Sequence, residues 1–321
     1  MKNDYIYAVA NIRAHEISLL TDADLEQLIN APDYKKAEAI LAGKGYDTDG
    51  SADYSNMLDR EFNKTWSLVL EDAPEAEPLK AFIVKNDFQN LKAALKGDVT
   101  ENNAEDFIVS PSCIDGKVLL EKVKERKFGD LPEFIADTAK KAYETIIQTG
   151  NGQLCDIVVD RGCLEAILSL TKSADDEVLS EYADAVVLAA DIKTAYRSIK
   201  TGKGRGFLET AVCGTDKYSK EDFISAAISG EDAFFDYLSV CGLSEFADTL
   251  KISSSTFEKY CDDRIMAVVK KAKYTAFGLS PLAAYLFARI TEIGCVRIIL
   301  SAKFNGSDAS VVRERMRELY V

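Results

Sequence analysis

The stretch that most restricts the fold lies near the C-terminus and runs from Ser280 to Gly306. Its sequence, SPLAAYLFARITEIGCVRIILSAKFNG, places apolar residues on nearly every side of a helix. A helix of this kind is enclosed, either by lipid or by other helices. Glu292 and Arg297 interrupt the run, and the chain nowhere has about 18 uncharged apolar residues in succession, which disfavours a membrane span. The stretch therefore predicts a pair of helices in the core of a larger helical protein.

Helical spacing of apolar residues continues through most of the chain. Thr21, Ser112 and Ser219 each precede an aspartate by three residues, a spacing typical of a helix start. The 321 residues include only six prolines, and no segment alternates apolar and polar residues as a half-buried strand does. The sequence predicts an all-α fold.

Length, charge and cysteine content restrict the class of protein. A chain of 321 residues exceeds the size at which one core usually keeps growing, so two or three domains are expected. The formal net charge of −14 disfavours a nucleic acid as the partner. Seven cysteines without a C-x-x-C pair indicate small apolar side chains in a reducing compartment. Because the N-terminal stretch is charged and lacks the apolar segment of a signal peptide, we expect a cytosolic protein without direct lipid insertion.

An Asp-Arg pair recurs at a nearly constant period. The pairs begin at Asp59, Asp160 and Asp263, with separations of 101 and 103 residues. An acid that opens a helical run follows each pair after 28, 31 and 29 residues respectively. This regularity predicts three related helical repeats of about 100 residues each. Their predicted bounds are residues 1–103, 104–206 and 207–321.

The same regularity predicts three buried ion pairs. A guanidinium and a carboxylate that are enclosed by helices must satisfy each other or lose their hydration. We expect one pairing in each repeat, which would set the register of two helices. The predicted pairs are Arg60 with Asp87, Arg161 with Asp191, and Arg264 with Glu292.

The chain offers little for catalysis. His15 is the single histidine, too few for a histidine metal site. The segment GKGRG at 202–206 lacks the spacing of a phosphate-binding P-loop and indicates a flexible linker. We expect no catalytic residue, no cofactor and no metal ion.

Two other classes of protein stay open at this point. A helical Mg²⁺-dependent diphosphate enzyme would carry acids that recur at helical spacing. Residues 178–180 and 265–267, which follow the acidic runs at 175–177 and 262–263, carry no acid. A generic α-helical interaction scaffold of the solenoid kind would repeat every ~20 to ~50 residues, whereas the Asp-Arg pairs of this chain are separated by 101 and 103 residues.

Several segments resemble the C subunit of bacterial and archaeal V-type (A-type) ATPases, whose eukaryotic relative is the d subunit of the vacuolar proton pump. The resemblance covers the whole length and is weakest in the middle third. It departs from the family at Gly294 and Cys295, where a basic residue and Asn are usual. The matching positions are Tyr7, Ala10, Arg13, Glu16, Leu19, Leu20, Asp87, Asn90, Leu91, Asp263, Arg264, Gly278, Pro281, Tyr285, Glu292, Arg297, Ile299 and Leu300.

This resemblance implies a specific architecture and role. It implies three helical units around a pseudo-threefold axis, forming a funnel at the cytoplasmic end of the membrane rotor ring. The funnel would receive the tip of the central shaft and pass torque between the ATPase head and ion movement, without chemistry of its own. The partners implied are the rotor ring and the shaft subunits, and the location is peripheral, on the cytoplasmic side of the membrane.

Overall fold

A computed structural model describes residues 5–48, 53–100 and 103–321. These residues form α-helices joined by short loops and 3₁₀ turns, without a strand among them, which confirms the all-α prediction. The helices are α1 (Ile6–Glu16), α2 (Asp22–Asn30), α3 (Tyr34–Gly43), α4 (Tyr54–Asp72), α5 (Val84–Thr100), α6 (Gly116–Lys124), α7 (Glu133–Thr149), α8 (Gly152–Lys172), α9 (Glu177–Thr201), α10 (Arg205–Ala211), α11 (Lys220–Ser229), α12 (Glu231–Val240), α13 (Ser244–Ile252), α14 (Ser254–Lys270), α15 (Ser280–Asn305) and α16 (Ala309–Arg315).

The chain divides into two compact units. Unit 1 combines residues 1–76 with residues 253–321, and unit 2 comprises residues 77–252. Unit 1 therefore contains both ends of the sequence. The division into three repeats at 103 and 206 stays a prediction.

The core of unit 1 forms around α15. This helix is continuous through Gly294 and ends at Gly306, whose φ of 65° is the left-handed conformation common after a helix. The predicted pair of helices was therefore wrong. A glycine inside a helix costs only about 1 kcal/mol relative to alanine, and burial of the apolar faces offsets it.

Apolar residues from both ends of the sequence meet in this core. Leu28 and Leu41, from the N-terminal helices, are fully buried in the same cluster as Val296 and Leu300 of α15. Because the two groups of residues lie more than 250 positions apart, unit 1 closes only through long-range packing.

Unit 2 is built around α8, which packs against α5, α7, α9 and α10. Its glycine Gly162 lies where a Cβ atom would come within 2.3 Å of the Thr138 side chain, so α7 and α8 approach more closely than larger residues allow. The segment at 202–206 is no separate linker, because Gly202 ends α9 and α10 begins at Arg205, inside unit 2.

Two of the three predicted helix starts are confirmed. The Thr21 hydroxyl accepts from the Asp24 N–H in a capping box, and the Ser219 hydroxyl accepts from the Asp222 N–H. The third was misplaced by three residues: Asp115 caps α6, and Ser112 donates to the Ile114 carbonyl instead. Aspartate caps a helix as well as serine does, so either residue could have begun this helix.

Among the described residues, no helix is long and apolar enough to cross a membrane.

Candidate functional site

The three acids singled out by the repeat are all buried. Asp87 is 0% exposed, Asp191 1% and Glu292 1%. Each lies on a long helix, α5, α9 or α15, on the face turned toward its unit's interior. A carboxylate in such surroundings needs hydrogen bonds to replace its hydration.

In unit 2 those hydrogen bonds come from backbone amides. Asp87 accepts from the N–H groups of Cys113 (3.0 Å) and Ile114 (2.8 Å). Four helices further along the unit, on α9, Asp191 accepts from the N–H groups of Cys213 (2.9 Å) and Gly214 (2.8 Å), and also from the Tyr218 hydroxyl. Both carboxylates thus bind the loop that precedes a capped helix.

The chain spacing of these two anchors is the same. Asp87 precedes the cap residue Asp115 by 28 residues, and Asp191 precedes the cap residue Ser219 by 28 residues. Burial is the largest influence on both carboxyl groups and raises their pKa values, although the amides oppose it.

Glu292 in unit 1 follows the same pattern with one difference. It accepts from the Leu20 N–H at 2.8 Å, directly before the cap residue Thr21 of α2. The anchored loop therefore comes from the N-terminal end of the chain, whereas Asp87 and Asp191 bind loops that follow them.

Two of the predicted arginines, Arg161 and Arg264, have partners other than these acids. Arg161 binds Glu165 (2.8 Å) and the Glu209 carbonyl, so its pairing with Asp191 was wrong. Arg264 is exposed and donates to the Tyr260 hydroxyl at 3.2 Å, so its pairing with Glu292 was wrong as well. The physical reason is that each buried carboxylate is already satisfied, Asp191 by the loop amides before α11 and Glu292 by Arg289, Tyr46 and the Leu20 amide.

The remaining predicted pair belongs to two different units. Arg60 lies in unit 1 and binds Asp47 through its carboxylate (3.4 Å) and its carbonyl (2.9 Å). Asp87 lies in unit 2, where its hydrogen bonds come from the loop amides described above.

The cation that accompanies Glu292 is Arg289, one helical turn away on α15. Arg289 is 7% exposed and donates to the carboxylate of Glu292. It also binds Glu61 of α4 at 2.8 Å and Thr65 at 3.3 Å. Glu61 is itself 2% exposed and accepts from the Asp47 N–H at 3.1 Å. One guanidinium therefore holds two buried carboxylates on two helices.

Tyr46 completes this buried cluster, which we define as Tyr46, Glu61, Thr65, Arg289 and Glu292. Its hydroxyl donates to Glu292 at 2.6 Å, and its ring lies 5.3 Å from the Arg289 guanidinium carbon. The cluster thus joins α15 to α4 and to the segments before α2 and after α3.

The buried cluster contains two carboxylates and only one guanidinium, and this imbalance of charge influences the pKa values of its members. Burial raises the pKa of Glu292, while Arg289, Tyr46 and the Leu20 amide oppose the shift and Glu61 adds to it. Burial lowers the pKa of Arg289, but attraction by Glu292 and the neighbouring groups outweighs it and the pKa is raised overall. The pKa of the Tyr46 hydroxyl is raised well above 10, first by burial and then by Glu292, so this tyrosine stays a donor.

Sequence reasoning located Glu292 but missed its partners. Arg289 was visible three residues before it, the spacing at which helix side chains meet. Glu61 directly follows the Asp-Arg pair at 59–60. The repeat therefore indicated Arg60, whereas the buried charged side chain is that of the next residue, Glu61. No spacing rule identifies Tyr46.

The described residues contain no group of three His, Cys, Asp or Glu side chains arranged to hold a metal ion. His15 contacts the Asn11 carbonyl at 2.9 Å and meets the ring of Tyr285 edge-on. Burial raises the pKa of Cys155 to about 11 and that of Cys213 to about 12, so these thiols stay protonated and poorly nucleophilic.

Comparison with known proteins places this sequence in a family. The sequence profile of the ATP synthase (C/AC39) subunit family matches residues 8–315. The chain belongs to this family. The resemblance seen in the sequence is confirmed, and the family is that of a non-catalytic subunit of a rotary ATPase complex.

Two curated relatives extend over almost the whole chain. The chain is 25% identical over 317 residues to the C subunit of the V-type sodium ATPase of Enterococcus hirae. This alignment covers 96% of the chain and 97% of that protein. The chain is 20% identical over 348 residues to the C subunit of the A-type ATP synthase of Methanocaldococcus jannaschii, which covers 98% and 86%.

Proposed function

We propose that this protein is the central-stalk (rotor) subunit that links the shaft of a soluble ATPase head to the membrane rotor ring. It transmits torque between ATP turnover and the transport of protons or sodium ions. The observation that carries this proposal is the family match over residues 8–315, together with the near-complete length shared with both relatives.

The buried anchors support a threefold arrangement of repeats. Asp87, Asp191 and Glu292 each hold the loop before a capped helix by its backbone amides. In the third case the N-terminal helices supply that loop, so the last repeat is completed by the start of the chain. We infer three units that form a funnel around a pseudo-threefold axis, with an interior that binds the shaft tip.

A torque-transmitting adaptor must also resist deformation. The buried cluster of unit 1 supports this role, because it ties α15 to three other segments through charged hydrogen bonds inside the core. We place the protein on the cytoplasmic side of the membrane as a peripheral component. The rotor ring and the shaft subunits are its partners.

Co-purification tests the proposal. A tagged chain, expressed in its own host and extracted in mild detergent, should recover the subunits of a rotor ring and of a soluble ATPase head, whereas the untagged strain recovers neither. Recovery of neither assembly with the tagged chain would overturn the proposal.

The same preparation gives a second measurement. The complex should hydrolyse ATP, and the isolated chain should not. Turnover by the purified chain that a point substitution within it abolishes would contradict the adaptor role.

A further inference from the structure

The first helix of unit 1 turns apolar residues toward solvent. Ile6 is 50% exposed, Tyr7 72% and the C-cap residue Ile17 87%, and Ala10 and Ala14 between them are exposed too. These are the exposed residues of the segment 6–17, and all five are apolar. A surface helix normally shows the reverse pattern, with polar residues outside.

The polar residues of α1 are engaged on its other sides. Asn11 donates to Asp72 at 2.5 Å, and Arg13 binds Glu16 at 2.8 Å. His15 contacts the backbone within the helix, and its ring meets Tyr285. These contacts, together with buried Ala8, Val9 and Ile12, fix the orientation of the helix, so the apolar side cannot turn inward.

A neighbouring loop adds two aromatic residues to this surface. Arg13 donates to the carbonyls of Ala272 (2.8 Å) and Thr275 (3.1 Å), which holds residues 271–277 beside α1. Within that loop Tyr274 is 93% exposed and Phe277 51%. We define the α1 face as Ile6, Tyr7, Ala10, Ala14, Ile17, Tyr274 and Phe277.

The shape of the α1 face suits another helix. Ala10 and Ala14 lie one turn apart and leave a shallow notch, with larger side chains at both ends. Small residues at this spacing let the backbone of a second helix approach closely. A helix that presents an apolar stripe would bury the exposed aromatic and aliphatic groups at once.

Charge around the α1 face indicates the chemistry of that helix. Lys271 and Lys273 are exposed in the loop beside it. The acids near Lys273 are Glu16 and Glu318, which form ion pairs with Arg13 and Lys270 respectively. The whole chain carries −14. A second copy of the chain, which also carries −14, would be repelled. At short range the two lysines would attract acidic side chains, and the small residues Ala10 and Ala14 fit the curved surface of a helix better than the flat surface of a membrane.

We propose that the α1 face binds an amphipathic α-helix of a neighbouring subunit in the ATPase complex, with acidic residues flanking its apolar stripe. The assignment of that helix to an ATPase subunit rests on the proposed function.

The test uses the assembled complex and matched alanines. Ala14→Asp and Ala10→Asp are compared with Ala39→Asp, because Ala39 is also exposed on a helix of unit 1 but lies among charged neighbours. We expect the two α1 variants to lower the recovery of at least one ATPase subunit about tenfold or more, as for the centre of an interface. Ala39→Asp should stay within about twofold of the wild type.

Circular dichroism and the melting temperature of each isolated variant establish that the chain has folded. If the α1 variants fold and recover every subunit as well as Ala39→Asp does, the inference is overturned, while wild-type recovery leaves the proposed function standing. If the wild type recovers no ATPase subunit, the proposed function has failed instead.

A photo-crosslinking residue identifies the occupant. p-Benzoylphenylalanine at position 14 of the purified complex should give a product with a helix of another subunit, mapped by mass spectrometry, and the same residue at position 39 should not. Products that contain only a second copy of this chain, or only lipid, would overturn the proposal.

Charge reversal tests the acidic partner. Lys273→Glu should weaken recovery of the same subunit and reduce its dependence on salt, compared with Lys36→Glu on α3, which is also exposed. Equal behaviour of the two variants would contradict an acidic partner.

Discussion

At the scale of single residues, the buried acids are held mainly by groups that cannot be recognised from the pattern of charged residues in the sequence. Asp87 and Asp191 use backbone amides, and Glu292 uses an amide, a hydroxyl and one arginine. Backbone N–H groups exist at nearly every position, so they satisfy a carboxylate without a second charged residue. Pairing by opposite charge alone therefore identifies the acids but assigns the wrong partners to Asp191 and Glu292.

Removal of Arg289 tests the buried cluster. Arg289→Ala leaves Glu61 and Glu292 enclosed without their shared cation, so the free energy of unfolding should fall by about 3–5 kcal/mol. Arg297→Ala, on the same helix and half exposed beside Asp59, should cost less than about 1 kcal/mol. Urea unfolding of both variants measures the difference. Similar losses in the free energy of unfolding of the two variants would show that the buried ion pairs of Arg289 stabilise the protein no more than the exposed ion pair of Arg297.

The pH dependence of stability tests the state of Glu292. Burial raises its pKa above the ordinary value of 4.5, so above that pH the folded protein retains a proton that the unfolded chain has released. The contribution of Glu292 to the free energy of unfolding therefore falls as the pH rises from 4.5 through the raised pKa of the folded state. Relative to Glu292→Gln, the wild type should lose stability across this range, as followed by urea unfolding at several pH values.

Glu26→Gln provides a control of opposite sign. Its exposed carboxylate binds Arg313 at 2.9 Å, which lowers its pKa below 4.5. The wild-type contribution at this site is present above pH 4.5 and is lost as the pH falls through the lowered pKa. A constant difference between wild type and Glu292→Gln at every pH would contradict a raised pKa at Glu292.

At the scale of helices and loops, each anchor joins a long helix to the loop before a shorter one. Asp191 of α9 holds the loop before α11, and Glu292 of α15 holds the loop before α2. A loop with fixed amides sets where the following helix begins, in addition to its own cap residue. Local capping signals alone could not reveal this second constraint.

Loss of one anchor should loosen its loop without melting the helices. Asp191→Asn places an amide group against the N–H donors of Cys213 and Gly214, so stability should fall by about 1–3 kcal/mol. Exchange of those two backbone hydrogens should accelerate at least about tenfold, as measured by hydrogen–deuterium exchange. The control variant is Asp184→Asn on the same helix, where the Asp184 carboxylate lies 3.7 Å from the Lys217 ammonium group. This variant should change neither the stability nor the exchange of those two backbone hydrogens much. Unchanged exchange in Asp191→Asn would exclude the anchoring role.

At the scale of the whole molecule, unit 1 depends on both ends of the chain. Leu28 and Leu41 share one core with Val296 and Leu300. Residues 1–76 alone would expose one side of that core, and residues 253–321 alone would expose the other. Unit 2 is continuous in sequence and carries its own core around α8.

Fragments should reflect this difference. Residues 77–252 should give a cooperative urea transition with high helix content by circular dichroism. Residues 1–76 and 253–321 should each show low helix content alone and regain it when mixed, because each supplies the apolar surface that the other lacks. A cooperative transition in residues 1–76 alone would contradict the shared core.

The sequence by itself determined the helical class, the family and the burial of three acids. Helical periodicity and the scarcity of proline are local properties, and the enclosed helix at 280–305 is apolar on nearly every side whatever its neighbours are. Only the tertiary structure decided that Gly294 does not break that helix, that Arg289 rather than Arg264 accompanies Glu292, and that Tyr46 and Leu20 complete its hydrogen bonds. These choices depend on which of many equivalent donors lies within about 3 Å of a carboxylate, and packing between residues more than 240 positions apart sets that distance.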